Sequence, residues 1–128
     1  MLRVCSFFKR KELKSLEKNF SISDIIYSAK KVKNGIGTKI KGIFLPNTNI
    51  IKINLTGKGG AGRIIYLVSI LKNKKIKYIY PLILCLKKNK TLGKNLSPQN
   101  KHFTQLIDKN LELFIQDYKN NDFEEYEI

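Results

Sequence analysis

Six cations in this chain are placed to do chemistry together: Lys52, Lys58, Arg63, Lys87, Lys88 and Lys90. They flank three strand-like runs, so neighbouring strands would bring them to one concave surface. Such a surface suits a phosphodiester. RNA carries its own nucleophile, the 2′-hydroxyl beside each phosphate. A protein then has to remove that proton and stabilise the charge that builds on phosphorus. Fixed guanidinium and ammonium groups do the second task, and do it best away from bulk water. Arg63 fits because its planar fork makes two parallel hydrogen bonds to a phosphate. Crowded like charges favour a neutral lysine, which could then act as the base. Tyr66, Tyr78 and Tyr80 offer ring faces on which unpaired bases stack.

Other chemistries are poorly served. His102 is the single imidazole, and it falls at the start of a helix, where a lone histidine is more often a surface residue. The central strands carry no carboxylate pair, which glycosidase and two-metal nuclease reactions require. The run Gly57-Lys58-Gly59-Gly60-Ala61-Gly62 has phosphate-loop spacing, but Arg63-Ile64 stands where Lys-Ser/Thr is needed and a strand follows where a helix should begin. Cys5 and Cys85 read as buried thiols. With one histidine and no ligand cluster, neither a metal nor a cofactor is expected.

Charge distribution sharpens the reading. The 128 residues carry a formal net charge of +15. Residues 51–100 hold eleven Lys or Arg and no acid, whereas residues 101–128 hold three Lys and seven acids. A general excess of Lys, Ile and Asn explains many lysines. It does not explain why acids vanish from fifty residues and then crowd the end. A segment so one-sided repels itself unless something anionic lies against it.

The elements that must position these cations follow from periodicity. Residues 2–8 read as a first strand and 9–19 as a helix. Ser23 is a candidate N-cap for a second helix ending near Asn34-Gly35. Residues 35–49 read as loop, with 40–45 extended. Residues 50–55, 63–71 and 77–86 read as three strands, the last interrupted by Pro81. Their short joints favour antiparallel hairpins. Ser97-Pro98 reads as the start of a long amphipathic helix to about Lys119. The fold class expected is α+β: N-terminal helices, a small central antiparallel sheet and a C-terminal amphipathic helix. Residues 1–119 form one domain in this reading, and residues 120–128 an acidic mobile tail. No apolar run is long enough for a bilayer and residues 1–14 lack a signal-peptide pattern, so a cytoplasmic protein without membrane contact is expected.

The segments IIKINL (50–55), GKGGAGRIIY (57–66), PLILCLKKNK (81–90) and NLS (95–97) together resemble the RelE/HigB-like toxins of toxin–antitoxin systems. In that family a strand precedes a glycine-bearing turn, an arginine opens the next strand in a G-x-R-[VIL]-[IV]-Y pattern, a third strand ends in a basic cluster, and a helix starts after L-[ST]. The resemblance spans roughly residues 48–118. It implies a compact α+β fold, cleavage of mRNA, often on the ribosome, and inhibition by a cognate antitoxin protein. It places the family's strand arginine on Arg63, a basic residue before the turn on Lys52, and the basic cluster on Lys87 and Lys88. Asn54 stands where some members carry a second lysine. Arg63 would then bind the scissile phosphate, with Lys52 or Lys88 as base or charge stabiliser. Lys58, Asn54, Tyr66 and Lys90 would contact RNA around it. The chain lacks the late tyrosine or histidine that several members use, and its N-terminal half is longer than in the shortest members. Two other readings use the same cations: a non-catalytic RNA or ribosome binder, and a regulator that binds an acidic protein.

Overall fold

The computed structural model describes residues 1–41, 46–92 and 96–128. It is an α+β arrangement around one mixed sheet. The strands are β1 (Leu2–Cys5), β2 (Thr38–Lys39), β3 (Thr48–Gly57), β4 (Gly60–Ile70), β5 (Ile76–Leu86) and β6 (Phe123–Tyr126), in the spatial order β2-β3-β4-β5-β1-β6. The helices are α1 (Ile22–Lys33) and α2 (Lys101–Lys119). The stretch expected as a first helix is instead a π-helical turn, Phe8–Leu13, running into a 3₁₀ turn, Lys14–Leu16.

The three long strands form the expected antiparallel meander. The turn between β3 and β4 is only Lys58-Gly59, because the ladder closes at Gly57 opposite Gly60. The glycines here are a packing requirement rather than a phosphate cradle. A Cβ on Gly57 would collide with the Asn19 carbonyl and the Phe20 ring, and one on Gly62 would lie 2.8 Å from the Cys85 carbonyl. Pro81 is tolerated inside β5 because the ladder is irregular there: Tyr66 faces Pro81 while Ile65 faces Ile83, and a bulge relieves a proline of its missing N–H.

The sheet is larger than the sequence suggested, and it is not wholly antiparallel. Leu2 of β1 lies opposite Ile79 of β5 in a parallel pair. Parallel neighbours need a long connection, and the whole chain from residue 6 to residue 75 supplies it. The acidic end also differs from expectation. It is not a mobile tail: Phe123, Glu124, Glu125 and Tyr126 pair antiparallel with Cys5, Val4, Arg3 and Leu2. The open edge of β1 needs hydrogen-bond partners. Asn121, at φ 51°, turns the chain back from α2 to supply them.

The two helices cover opposite faces. On one, Tyr66 donates its hydroxyl to the Ile25 carbonyl of α1 at 2.9 Å. On the other, Phe114 of α2 meets the Tyr80 ring edge-on, with centroids 4.8 Å apart. Between the layers lies an apolar core that includes Ile25, Ile64, Ile83, Phe103 and Ile107. Both helix starts are displaced from expectation. Ser21, not Ser23, begins α1, and its N–H reaches the Asp24 carboxylate at 2.9 Å. Asn100, not Ser97, caps α2, accepting from the His102 and Phe103 N–H groups. α1 ends at Asn34, and Gly35 follows at φ 85°, a left-handed position that glycine takes without strain. Of the segment expected to be extended, residues 42–45 lie outside the described residues; Ile40 donates to the Ile50 carbonyl at 2.8 Å.

Candidate functional site

Sheet register decides which cations can act together. Side chains directly opposite in a ladder share a face. Asn54 is opposite Arg63, and Arg63 is opposite Cys85. Lys52 is opposite Ile65, which is two residues along β4 from Arg63 and therefore on the same face. The ladder continues past β5, where the Lys87 N–H donates to the Ala61 carbonyl at 3.1 Å. That sets Lys87 beside Ala61, two residues to the other side of Arg63. Arg63 thus sits at the centre of the patch, with Lys52 and Lys87 on its two diagonals, their Cβ atoms about 7–8 Å away. Asn54 and Lys87 are exposed, and Lys52 and Arg63 half-buried.

This is the face that carries α2, but α2 packs on β5 and β1, at the other side of the sheet. The β3–β4 part bears Lys52, Asn54 and Arg63. The ion pairs of the described residues are Arg3 with Glu125, Lys9 with Glu124 and Lys14 with Glu17. None of them involves the patch. Among the described residues, the one buried side-chain polar atom without a hydrogen-bond partner is Arg63 Nε. A buried donor left unmade costs free energy on the order of 1–3 kcal/mol, more when it is charged. An anion accepting from Nε would remove that cost.

The remaining expected residues fall elsewhere. Lys58 is at the exposed β3–β4 turn, and Lys90 is exposed in the turn beyond β5. Lys88 lines two depressions. One lies against the Gly59–Ala61 backbone, and the other is a cavity of about 440 Å³ between the end of β5 and α2. Tyr66 does not belong to an RNA-facing surface. It is fully buried against α1, on the opposite face, and burial holds its phenol well above the usual range. Arg63 and Tyr66 are three residues apart on one strand, and that odd spacing already separates their faces. Tyr80 is buried against α2, while Tyr78 lies under the Arg3 guanidinium, 3.5 Å from ring centre to Cζ. His102 is exposed in the first turn of α2.

Glu12 is the residue that the sequence gave no reason to single out. Strand β1 is too short to cover the whole edge of β5. Past Cys5, the edge is satisfied by side chains instead: Glu12 Oε1 accepts from the Leu84 N–H at 2.9 Å, and the Asn110 amide donates to the Leu82 carbonyl at 2.6 Å. Burial raises the Glu12 carboxyl above its ordinary range, opposed by the Leu84 N–H, Lys11 and Asn110. Nothing local to Lys-Arg-Lys-Glu-Leu marks this glutamate as buried, because the gap it fills is made by a strand seventy residues away. Both thiols are buried and free. Burial pushes Cys85 up to about 11, with the neighbouring Arg63 charge pulling it down, so it has no thiolate character at neutral pH. Among the described residues, no three His, Cys, Asp or Glu side chains gather as a metal ion would require, and no helix is long and apolar enough to cross a membrane.

No protein-family model, curated protein or solved structure matches this chain.

Proposed function

We propose that this protein is an endoribonuclease of the RelE/HigB kind, a toxin that cleaves mRNA on the ribosome and is restrained by an antitoxin protein. The observation that carries the reading is Arg63: a central arginine on a cationic face that no ion pair of the described residues reaches, with a buried Nε that has no partner among them. The scissile phosphate binds there. The 2′-oxygen of the preceding ribose attacks phosphorus, the bond to the 5′-oxygen breaks, and the products are a 2′,3′-cyclic phosphate and a 5′-hydroxyl. Arg63 and the flanking Lys52 and Lys87 hold the charge of the pentacovalent state. Lys52 or Lys88 takes the 2′-hydroxyl proton, and water supplies the proton that the departing 5′-oxygen gains. No metal or cofactor enters this scheme.

Expression in a bacterial host tests it. Growth should arrest, cellular RNA should acquire new 5′-hydroxyl ends, and Arg63→Ala or Lys88→Ala should relieve both. Abundant, folded wild-type protein that leaves translation and RNA intact would sink the reading. If Arg63→Ala and wild type bind RNA with the same steep salt dependence and neither cuts it, the protein is a binder rather than a nuclease.

A further inference from the structure

The cleavage scheme draws on the 440 Å³ cavity at the end of β5 only through Lys88 at its rim. Among the described residues its walls include Leu16, Leu84, Leu106 and Cys85, with Glu12 inside and the exposed Lys88 at its mouth. Apolar walls with a few placed polar groups describe a small-molecule site, and a nucleobase has that mixed character. Glu12 is only 7% exposed, and a carboxylate has about four acceptor sites. The Leu84 N–H and the Asn110 amide account for two. The cavity also adjoins the cationic patch. Cys85 is opposite Arg63 on the ladder, and its thiol is close enough to both Arg63 and Glu12 to feel their charges. Arg63 stands one strand to one side of β5 and Glu12 just beyond the other side, a span of about 10 Å at ordinary strand spacing. One nucleotide has that reach, from its phosphate to the hydrogen-bonding edge of its base.

We propose that this cavity receives the base of the nucleotide whose phosphate sits on Arg63, and that Glu12 selects guanine there. The inference rests on the RNA reading above. Guanine presents two adjacent N–H donors on its Watson–Crick edge, and a carboxylate accepts from both. Adenine, cytosine and uracil each set an acceptor beside their donor, and that acceptor repels a carboxylate. Burial sharpens the choice, because an unmatched base would strip water from Glu12 and give nothing back.

Binding of 2′-O-methyl pentamers, which cannot be cut by 2′-oxygen attack, decides the matter by fluorescence anisotropy. The full chain should bind UUGUU about tenfold or more tighter than UUUUU, UUAUU or UUCUU, the scale of one good base-edge contact. Glu12→Gln should bring UUGUU down to the affinity of the others. Leu106→Trp, which fills the cavity from α2 and leaves Glu12 in place, should do the same and decides the question if Glu12→Gln does not fold. Equal binding of all four pentamers by wild type, or a guanine preference that survives either folded variant, overturns the base pocket and leaves the RNA reading standing. Failure to bind any pentamer removes both.

Discussion

Two arginines on one sheet have opposite surroundings. Arg3, on β1, is held by hydrogen bonds and by ring contacts. Its Nε donates to Glu125 at 2.9 Å, its Nη1 donates to the Tyr80 hydroxyl at 2.9 Å, and its plane lies between the rings of Tyr78 and Phe123. Arg63, on β4, has a buried Nε with no partner among the described residues. The same contrast holds for the regions around them. At the β1–β6 edge the acids of the C-terminal strand meet Arg3 and Lys9. Across β3–β5, drawn from the segment without acids, Lys52, Arg63 and Lys87 share one face. An arginine whose Nε and Nη1 donate within its own protein, and whose plane is packed by rings, is a structural clamp. One whose buried donor is unused has been left ready for an anion. The acidic end does not screen Arg63, because it pairs at the far edge of the sheet, two strands beyond β5.

The largest effect expected from this contrast is on Arg63. Arg63→Ala should lower the rate of RNA cleavage by about a hundred- to a thousandfold, the scale of removing one transition-state donor, with little change in thermal unfolding. Arg63→Lys should recover little, since a point charge cannot make the two parallel bonds of a guanidinium. A variant that cuts at the wild-type rate would show that the unpartnered Nε has nothing to do with catalysis. Arg3→Ala should give the reverse pattern. Loss of the ring contacts and the Tyr80 bond should cost about 2–3 kcal/mol, seen in urea unfolding. The pair with Glu125 adds little, because that carboxylate is 43% exposed and well screened. The folded Arg3→Ala protein should cleave normally; a lost activity at full folding would erase the distinction between the two arginines.

Glu12 tests whether the edge between these regions is held at a cost. Its carboxyl is raised in the folded state by burial. A group shifted up in the folded protein contributes stability that is full below its unfolded pKa and is lost as pH rises through the folded value. Wild type should therefore weaken relative to Glu12→Gln as pH climbs above the ordinary carboxylate range. Glutamine keeps an oxygen for the Leu84 N–H and carries no charge to bury. Glu12→Leu, which leaves that N–H unmatched, should be less stable than either at every pH. Unfolding free energies of wild type and Glu12→Gln that run parallel across the titration would mean that Glu12 is not desolvated.

What the sequence revealed, and what it hid, divides along the same line. Strands β3 to β5 were legible because each is ten or eleven residues long and joined to the next by a short turn, so their pairing is nearly local. Strands β1 and β6 are four residues each and pair with partners more than seventy residues away. The acids of β6 read as a solvated end because the cations that receive them, Arg3 and Lys9, are at the other terminus. The helix caps slipped by two or three residues, since Ser21, Ser23, Ser97 and Asn100 are all competent caps and only packing chooses among them. The convergence of Lys52 and Arg63 was legible because short joints make neighbours of the strands that carry them, whereas Asn54 entered only through the family resemblance. Glu12 could not be found this way: its burial depends on where β1 runs out.

Tyr66 gives the smallest effect and the cleanest check on face assignment. It is next but two to Arg63 in sequence, yet its hydroxyl reaches Ser28 and the Ile25 carbonyl on the α1 side. Tyr66→Phe keeps the ring in the core and removes only those hydrogen bonds. The expected cost is about 1 kcal/mol, with RNA binding and cleavage unchanged. If the ring instead stacked on RNA, phenylalanine would also preserve stacking, so Tyr66→Leu is needed beside it. Leucine should deepen the stability loss through poorer packing, while the folded fraction keeps its RNA affinity. A selective fall in RNA affinity for Tyr66→Leu, at matched folding, would put Tyr66 on the same side as Arg63 and undo the register on which the cationic patch depends.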